Sequence, residues 1–179
     1  MPSPQTLHFS SEFAISCGTI TIDPSAKKVL LIFNRTSKEH LLPKGRKNTS
    51  ETLESAAVRE TFEETGIRCE LLPHAFPHLA PLSPEAEKQK GEVRRQPLST
   101  EPIAVQQRVS MGAWKLIFWF IANADSTIAR VEGTQEAYEL YDTVWADADA
   151  APGMMSRQGD KEIVTKAIET VIGVGKPGL

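Results

Sequence analysis

Four charged residues lie within six positions of a predicted helix, at Arg59, Glu60, Glu63 and Glu64. Residues three and four apart share one helix face, so the three glutamates can point their carboxylates at one spot. Converging carboxylates repel one another unless a cation lies between them. Carboxylate oxygens are hard ligands that favour Mg²⁺ or Mn²⁺ over zinc. The segment therefore predicts divalent-metal phosphate chemistry.

The spacing around these charges resembles the Nudix box. Its positions match in the order Gly45, Glu51, Arg59-Glu60, Glu63-Glu64, Gly66 and the aliphatic Ile67. One position departs, because Thr61 stands where the family packs an aliphatic residue beneath the helix. The resemblance implies an α/β/α sandwich with a mixed sheet, in which the box forms a loop, a helix and a loop. It also implies a hydrolase of phosphorus-containing acid anhydrides that uses Mg²⁺ or Mn²⁺.

The resemblance also implies roles for individual residues. Hydrolysis of a phosphoanhydride requires a metal that polarises phosphoryl oxygens and activates an attacking water. The carbonyl of Gly45, with Glu60 and Glu64, would hold the metal, and Glu63 would be a further ligand or a base that acts through water. Arg59 would orient the carboxylates, and a pairing of Arg59 with Glu51 is geometrically reasonable. A further acid often comes from a late loop, where we choose Glu139 over Glu132 and Glu136.

Three cations stand beside the glycine that opens the box, in Pro43-Lys44-Gly45-Arg46-Lys47. Lys44, Arg46 and Lys47 suit a substrate with several phosphates. The Pro-Lys-Gly form resembles Nudix enzymes that act on diadenosine polyphosphates and on capped RNA, which predicts a dinucleoside polyphosphate or capped RNA as the substrate. Further candidates for substrate contact are Arg35, Gln106 and Arg108.

Other functions stay open on the sequence. A diphosphoinositol polyphosphate phosphohydrolase is one alternative, although those relatives more often carry glycines beside the box. A triphosphatase of damaged nucleotides is another. A Nudix-fold sensor module that binds nucleotide or RNA without turnover belongs to a different class, and such modules commonly lose box glutamates that this chain retains.

The elements that must position these residues follow from hydrophobic periodicity and turn signals. The box helix should span 49–65, with Thr49 or Ser50 as N-cap and Gly66 after its last turn. Gly112 marks a turn between two paired strands. Strands are predicted at 13–22, 28–34, 67–72, 103–109 and 114–122 and around 144–146, followed by an amphipathic helix at 158–172.

The length of 179 residues, with 40% hydrophobic and 24% charged residues, fits one domain with a core at about 13–172. A proline-rich, charged insertion at about 73–102 interrupts it. We interpret its basic group as solvated charge rather than an RNA clamp, because acids are interleaved with Lys88, Lys90, Arg94 and Arg95. The net charge of −3 argues neither for nor against a polyanionic substrate.

Cysteine use and hydropathy predict an intracellular, cytoplasmic protein. Cys17 and Cys69 lie far apart and are expected to be buried thiols. The chain shows neither a signal-peptide pattern nor an apolar run that could span a membrane. A trimmed signal peptide stays open, as does the oligomeric state, and no stable protein partner is predicted. Trp114, Trp119 and Phe120 are interpreted as core residues rather than as a base-stacking platform.

Overall fold

The centre of the sheet is a long strand that pairs with three others in the computed structural model, which describes residues 6–81, 98–110 and 112–173. The strands are β1 (Phe13–Asp23), β2 (Lys28–Asn34), β3 (Glu39–Leu41), β4 (Lys44–Arg46), β5 (Glu70–Leu71), β6 (Ala104–Ser110), β7 (Ala113–Asn123) and β8 (Tyr141–Asp147). The helices are α1 (Leu53–Thr65), α2 (Ala151–Met154) and α3 (Gln158–Val171). The predicted strands and both long helices are confirmed, although β5 is shorter than the sequence indicated.

The sheet is mixed because its one parallel pairing lies among antiparallel ones in the described ranges. Strand β1 runs parallel to β7, and β7 pairs antiparallel with β5 and β6. On its other side β1 pairs antiparallel with β2 at Ile22 and Asp23, and with β4 at residues 16–18. Strand β2 continues the sheet to β3 and β8. Strand β4, which carries the cations of the box, thus lies directly against the central strand.

Helices cover both faces of the sheet. Alternate residues of a strand point to opposite sides, so apolar side chains on each face can pack against a helix. On one face, Ile20 and Trp119 pack into the main core with Val164 and Ile168 of α3. On the other face, Cys17 and Phe120 pack against Ala56 and Ala57 of α1. Trp119 and Phe120 are each 1% exposed, so their assignment to the core is confirmed.

The box helix begins later than predicted. Its N-cap is Thr52, whose Oγ1 accepts a hydrogen bond from the backbone N–H of Ser55 at 3.1 Å, so neither Thr49 nor Ser50 caps it. Ser50 has a φ of +64°, and the backbone N–H of Asn48 donates to Glu51 Oε2 at 2.9 Å. This turn keeps the chain out of the helix until residue 52. Gly66 ends the helix in the left-handed conformation, as predicted.

Several further predictions can be compared with the fold. Cys17 and Cys69 are buried and free. The basic group at Lys88, Lys90, Arg94 and Arg95 lies outside the described residues, as does most of the predicted insertion. Across the described ranges, no helix combines the length and the apolar character needed to cross a membrane.

Candidate functional site

Arg59 donates hydrogen bonds to three glutamates of the box. Its Nε and Nη2 donate to the two carboxylate oxygens of Glu51 at 2.8 and 2.9 Å, while Nη1 donates to Glu60 at 2.8 Å and to Glu63 at 2.7 Å. Nη2 also donates to the carbonyl oxygen of Arg46 at 2.9 Å. The hydrogen bonds to Glu51 are the largest cause that raises the pKa of Arg59 above its ordinary value. The expected pairing of Glu51 with Arg59 is thus present, and it ties the loop before α1 to the helix.

Glu60 lies directly against the backbone of Gly45. A Cβ added at residue 45 would stand well inside 3.0 Å of the Glu60 carboxylate, so any larger residue would displace that side chain. Burial raises the pKa of Glu60, and Arg59 acts in the opposite direction. The glycine of the box is therefore a steric requirement, because it lets a strand backbone approach a carboxylate closely.

Glu64 is the most deeply buried acid of the box, with 3% of its surface exposed. Its Oε2 accepts a hydrogen bond from the backbone N–H of Lys44 at 2.8 Å. Burial raises the pKa of Glu64 to about 8, the charge and the N–H of Lys44 lower it, and Glu139 and Glu60 raise it further. A buried carboxylate beside two other acids is an environment that a divalent cation stabilises.

Glu139 comes close to this group from the loop between β7 and β8. Its charge raises the pKa of both Glu60 and Glu64, and it contributes to a Tyr141 pKa of about 12 that burial chiefly causes. Glu132 is instead held by Arg130 through two hydrogen bonds, at 2.8 and 2.7 Å. Among the candidate loop acids, Glu139 therefore has the best-supported electrostatic link to the box.

The loop that carries Glu139 is hydrogen-bonded to the C-terminal end of α1. The last carbonyls of a helix have no partner within the helix. Here Thr134 Oγ1 donates to the carbonyl of Glu63 at 2.9 Å, and Gln135 Nε2 donates to the carbonyl of Glu64 at 2.7 Å. Gln135 also donates to the carbonyl of Tyr141 at 3.0 Å. The sequence analysis missed both residues, because nothing local to residues 134 and 135 indicates contact with a helix about 70 positions away.

The three box glutamates do not gather at one point, contrary to the geometry inferred from helical spacing. Arg59 holds Glu60 and Glu63, whereas Glu64 turns towards Lys44. Over residues 6–81, 98–110 and 112–173, no three acidic, histidine or cysteine side chains stand in a metal-binding arrangement. The donor chemistry still fits Mg²⁺ or Mn²⁺, because Glu60, Glu64 and the Gly45 backbone bring oxygen ligands together where an added Cβ would leave no room.

The predicted substrate residues fall into separate groups. Lys44 and Arg46 stand on β4 beside the carboxylates, and Lys47 Nζ donates to the carbonyl of Asn48 at 2.9 Å. Arg35 Nε donates to Asp142 at 2.9 Å and lines a cavity of about 190 Å³ together with Glu139.

Gln106 and Arg108 are instead engaged with α3. Arg108 Nη2 pairs with the buried carboxylate of Asp160 at 2.6 Å, and Gln106 Nε2 donates to the same oxygen at 3.2 Å. Gln106 Oε1 accepts from Arg108 at 2.7 Å. Substrate contact by these two residues stays a prediction, and the geometry gives them a packing role between β6 and α3.

Thr61, the departure from the box pattern, is fully buried. Its Oγ1 donates to the carbonyl of Ala57 at 2.8 Å and shares a hydrogen bond with Thr19 Oγ1 at 2.7 Å. Thr19 in turn bonds to Thr21 Oγ1 at 2.7 Å. The hydroxyl is therefore satisfied, and a row of threonines joins α1 to β1 where the family has an apolar contact.

Comparisons with known proteins agree with this fold. The model of the NUDIX domain matches residues 13–161. Among solved structures, a NUDIX-family hydrolase from Clostridium perfringens has a TM-score of 0.61 at 20% identity, over 90% of this chain and 98% of that one. An Ap4A hydrolase from C. elegans has a TM-score of 0.58 at 16% identity, over 86% and 93% of the two chains. The MutT protein from Bacillus halodurans has a TM-score of 0.54 at 17% identity, over 85% and 80%.

Proposed function

The chain belongs to the NUDIX family and is a hydrolase of pyrophosphate bonds, and from this premise we propose that it cleaves a dinucleoside polyphosphate or capped RNA. The observation that carries the proposal is the position of Lys44 and Arg46 on a strand whose backbone touches Glu60 and Glu64. Cations placed there would bind phosphates that adjoin the bond to be cut. The structural likeness to an Ap4A hydrolase supports the same substrate class.

Glu60, Glu64 and the carbonyl of Gly45 would hold Mg²⁺ or Mn²⁺, the metals that this family generally uses. When bound, such a metal polarises phosphoryl oxygens and lowers the pKa of a coordinated water. Arg59 holds Glu60 and Glu63 in place, and Glu51 fixes Arg59 through two hydrogen bonds. The Glu63 side chain is 45% exposed, which lets it reach a water or a further metal. Glu139 would add negative charge near Glu60 and Glu64.

The experiment is a substrate panel with Mg²⁺ or Mn²⁺, in which products are separated by chromatography. The panel contains diadenosine tetraphosphate, capped RNA, an inositol pyrophosphate and an oxidised nucleoside triphosphate. We expect diadenosine tetraphosphate or capped RNA to be hydrolysed fastest, with turnover lost in Glu64→Gln. Glu54→Gln is the matched control, because Glu54 is an exposed glutamate on the same helix.

Two outcomes would contradict the proposal. Unchanged rates in both Glu63→Gln and Glu64→Gln would refute the assigned site. Fastest turnover of the inositol pyrophosphate or of the oxidised nucleotide would refute the assigned substrate class.

A further inference from the structure

Basic residues from three strands lie on one face of the sheet, on the side away from α1. In the sheet, β6 lies beside β7, β7 beside β1, and β1 beside β4. Arg108 of β6 pairs with Lys115 of β7. Ser16 of β1 pairs with Ile117 of β7 on one side and with Arg46 of β4 on the other. Alternation along each strand places Lys115 on the same face as Ile117, which packs in the main core with α3. Arg46 and Lys44 share this face, because Gly45 between them turns towards Glu60 on α1. We call Lys115, Arg46 and Lys44 the basic strip.

The basic strip lies beside the predicted metal site. The charge of Glu64 acts on Lys115, and the charge of Lys44 acts on Glu64. Burial lowers the pKa of Lys115 below its ordinary value, and Lys44, Arg46 and Arg108 lower it further. Arg108 is neutralised by Asp160, but none of the three strip residues forms an ion pair with a carboxylate from the described part of the chain. Positive charge therefore accumulates there in a partly desolvated place, and an anion would relieve it.

A buried hydroxyl lies on the same face of the sheet. Ser16 is fully buried, and its Oγ makes no hydrogen bond to any described residue. Ser16 is the direct strand neighbour of Arg46. A buried hydroxyl that makes no hydrogen bond destabilises the fold, and a phosphate oxygen is a strong acceptor for such a group.

We propose that Lys115 and Arg46 form a second phosphate subsite, which holds the phosphates beyond the scissile anhydride and selects substrates whose phosphate chain is longer than a diphosphate. This inference rests on the proposed function, and it adds Lys115, which no motif of the sequence marked. An ammonium group acts as a point charge on any phosphate within reach, so the subsite would recognise chain length rather than the nucleoside. The metal site would then hold the bond to be cut, and the basic strip would hold the remainder of the chain.

The test measures binding rather than turnover. Inorganic tripolyphosphate and pyrophosphate are titrated by calorimetry in buffer without divalent metal, into the wild type, Lys115→Met, Lys115→Arg and the control Lys161→Met. Lys161 is exposed on α3, outside the basic strip. We expect the wild type to prefer tripolyphosphate, and Lys115→Met to bind it about tenfold more weakly, or about 1.4 kcal/mol. Binding of pyrophosphate should weaken less, because its shorter chain leaves fewer phosphates for Lys115, and Lys115→Arg should restore the preference.

Three results would overturn the inference: no preference for tripolyphosphate in the wild type, unaltered binding in Lys115→Met, or an equal loss for both anions. Thermal unfolding of each variant shows whether the fold is retained, and Arg46→Met, which removes the other, exposed cation of the subsite, supplies the same test if Lys115→Met unfolds. Failure of the proposed function is a separate result, because it appears as absent turnover of diadenosine tetraphosphate and capped RNA. In an active enzyme, Lys115→Met should raise KM for diadenosine tetraphosphate and leave kcat nearly unchanged.

Discussion

Replacement of Gly45 by alanine should damage catalysis far more than stability. The added Cβ would overlap both oxygens of the Glu60 carboxylate, and this clash could be relieved only if the Glu60 side chain moved. Because the carboxylate is the far end of a flexible side chain, Glu60 can swing towards solvent, and burial no longer opposes its charge. The move breaks its hydrogen bond to Arg59, worth about 1.5–3 kcal/mol, but part of this is recovered through hydration. We therefore expect the free energy of unfolding to fall by only about 1 kcal/mol.

The cost to the reaction should be larger, since Glu60 is assigned to the metal. Misplacement of a catalytic group by about 1 Å can lower the rate about 100-fold, which corresponds to about 2.7 kcal/mol. Steady-state kcat/KM on the best substrate should fall by this factor, and the Mg²⁺ concentration for half-maximal rate should rise. Urea denaturation supplies the stability measurement. Gly153→Ala is the matched control, because a Cβ at residue 153 has nothing within 4 Å.

A double-mutant cycle tests whether the effect passes through Glu60. If it does, Gly45→Ala should cost little when Glu60 is already alanine, because the clash has been removed. An undiminished cost in that background would show that the substitution acts through the β4 backbone instead. Wild-type metal dependence and rate in Gly45→Ala would refute the steric argument altogether.

The remaining predictions concern the supports of the site and the stability of the fold. Gln135→Ala removes the hydrogen bonds to the carbonyls of Glu64 and Tyr141, so urea denaturation should show a loss of about 1–3 kcal/mol and kcat should fall, whereas the exposed Gln107→Ala should change neither. Thr61→Val should lower the free energy of unfolding by about 1 kcal/mol and leave kcat unchanged, because the hydroxyl bonds to Ala57 and Thr19 inside the core. A stabilised variant would contradict the importance of the threonine row. Hydrogen bonds from the N–H groups of Ala26, Ser126 and Ser25 lower the Asp23 pKa from 3.8 to about 2, so the unfolded state takes up the proton first as the pH falls. The resulting stability of about 2 kcal/mol should be present above pH 4 and lost as the pH falls towards 2, and Asp23→Asn should flatten this part of the profile.

Local pattern was sufficient for most of the elements and for the box itself. Periodicity predicted β1, β2, the β6–β7 pair and both long helices, because the alternation of apolar residues reflects which side of each element is buried. Helical spacing also indicated that Arg59 meets Glu63, and the box pattern suggested its pairing with Glu51. The N-cap was misplaced because Asn48 and Glu51 form a turn of their own, and its hydrogen bonds compete with the helix.

What depended on the tertiary structure were the contacts between residues far apart in the chain. Gln135 supports the end of α1, Arg108 is neutralised by Asp160, and Lys115 joins Arg46 on one face. The last of these follows from strand register, since a shift of one residue would turn Lys115 to the opposite face. The groups that could perform metal-dependent phosphate chemistry were recognisable from the sequence alone, because they lie within one helix and the loop before it. Only the packing of distant strands decided which charges surround them, because electrostatic interaction depends on distance in space rather than along the chain.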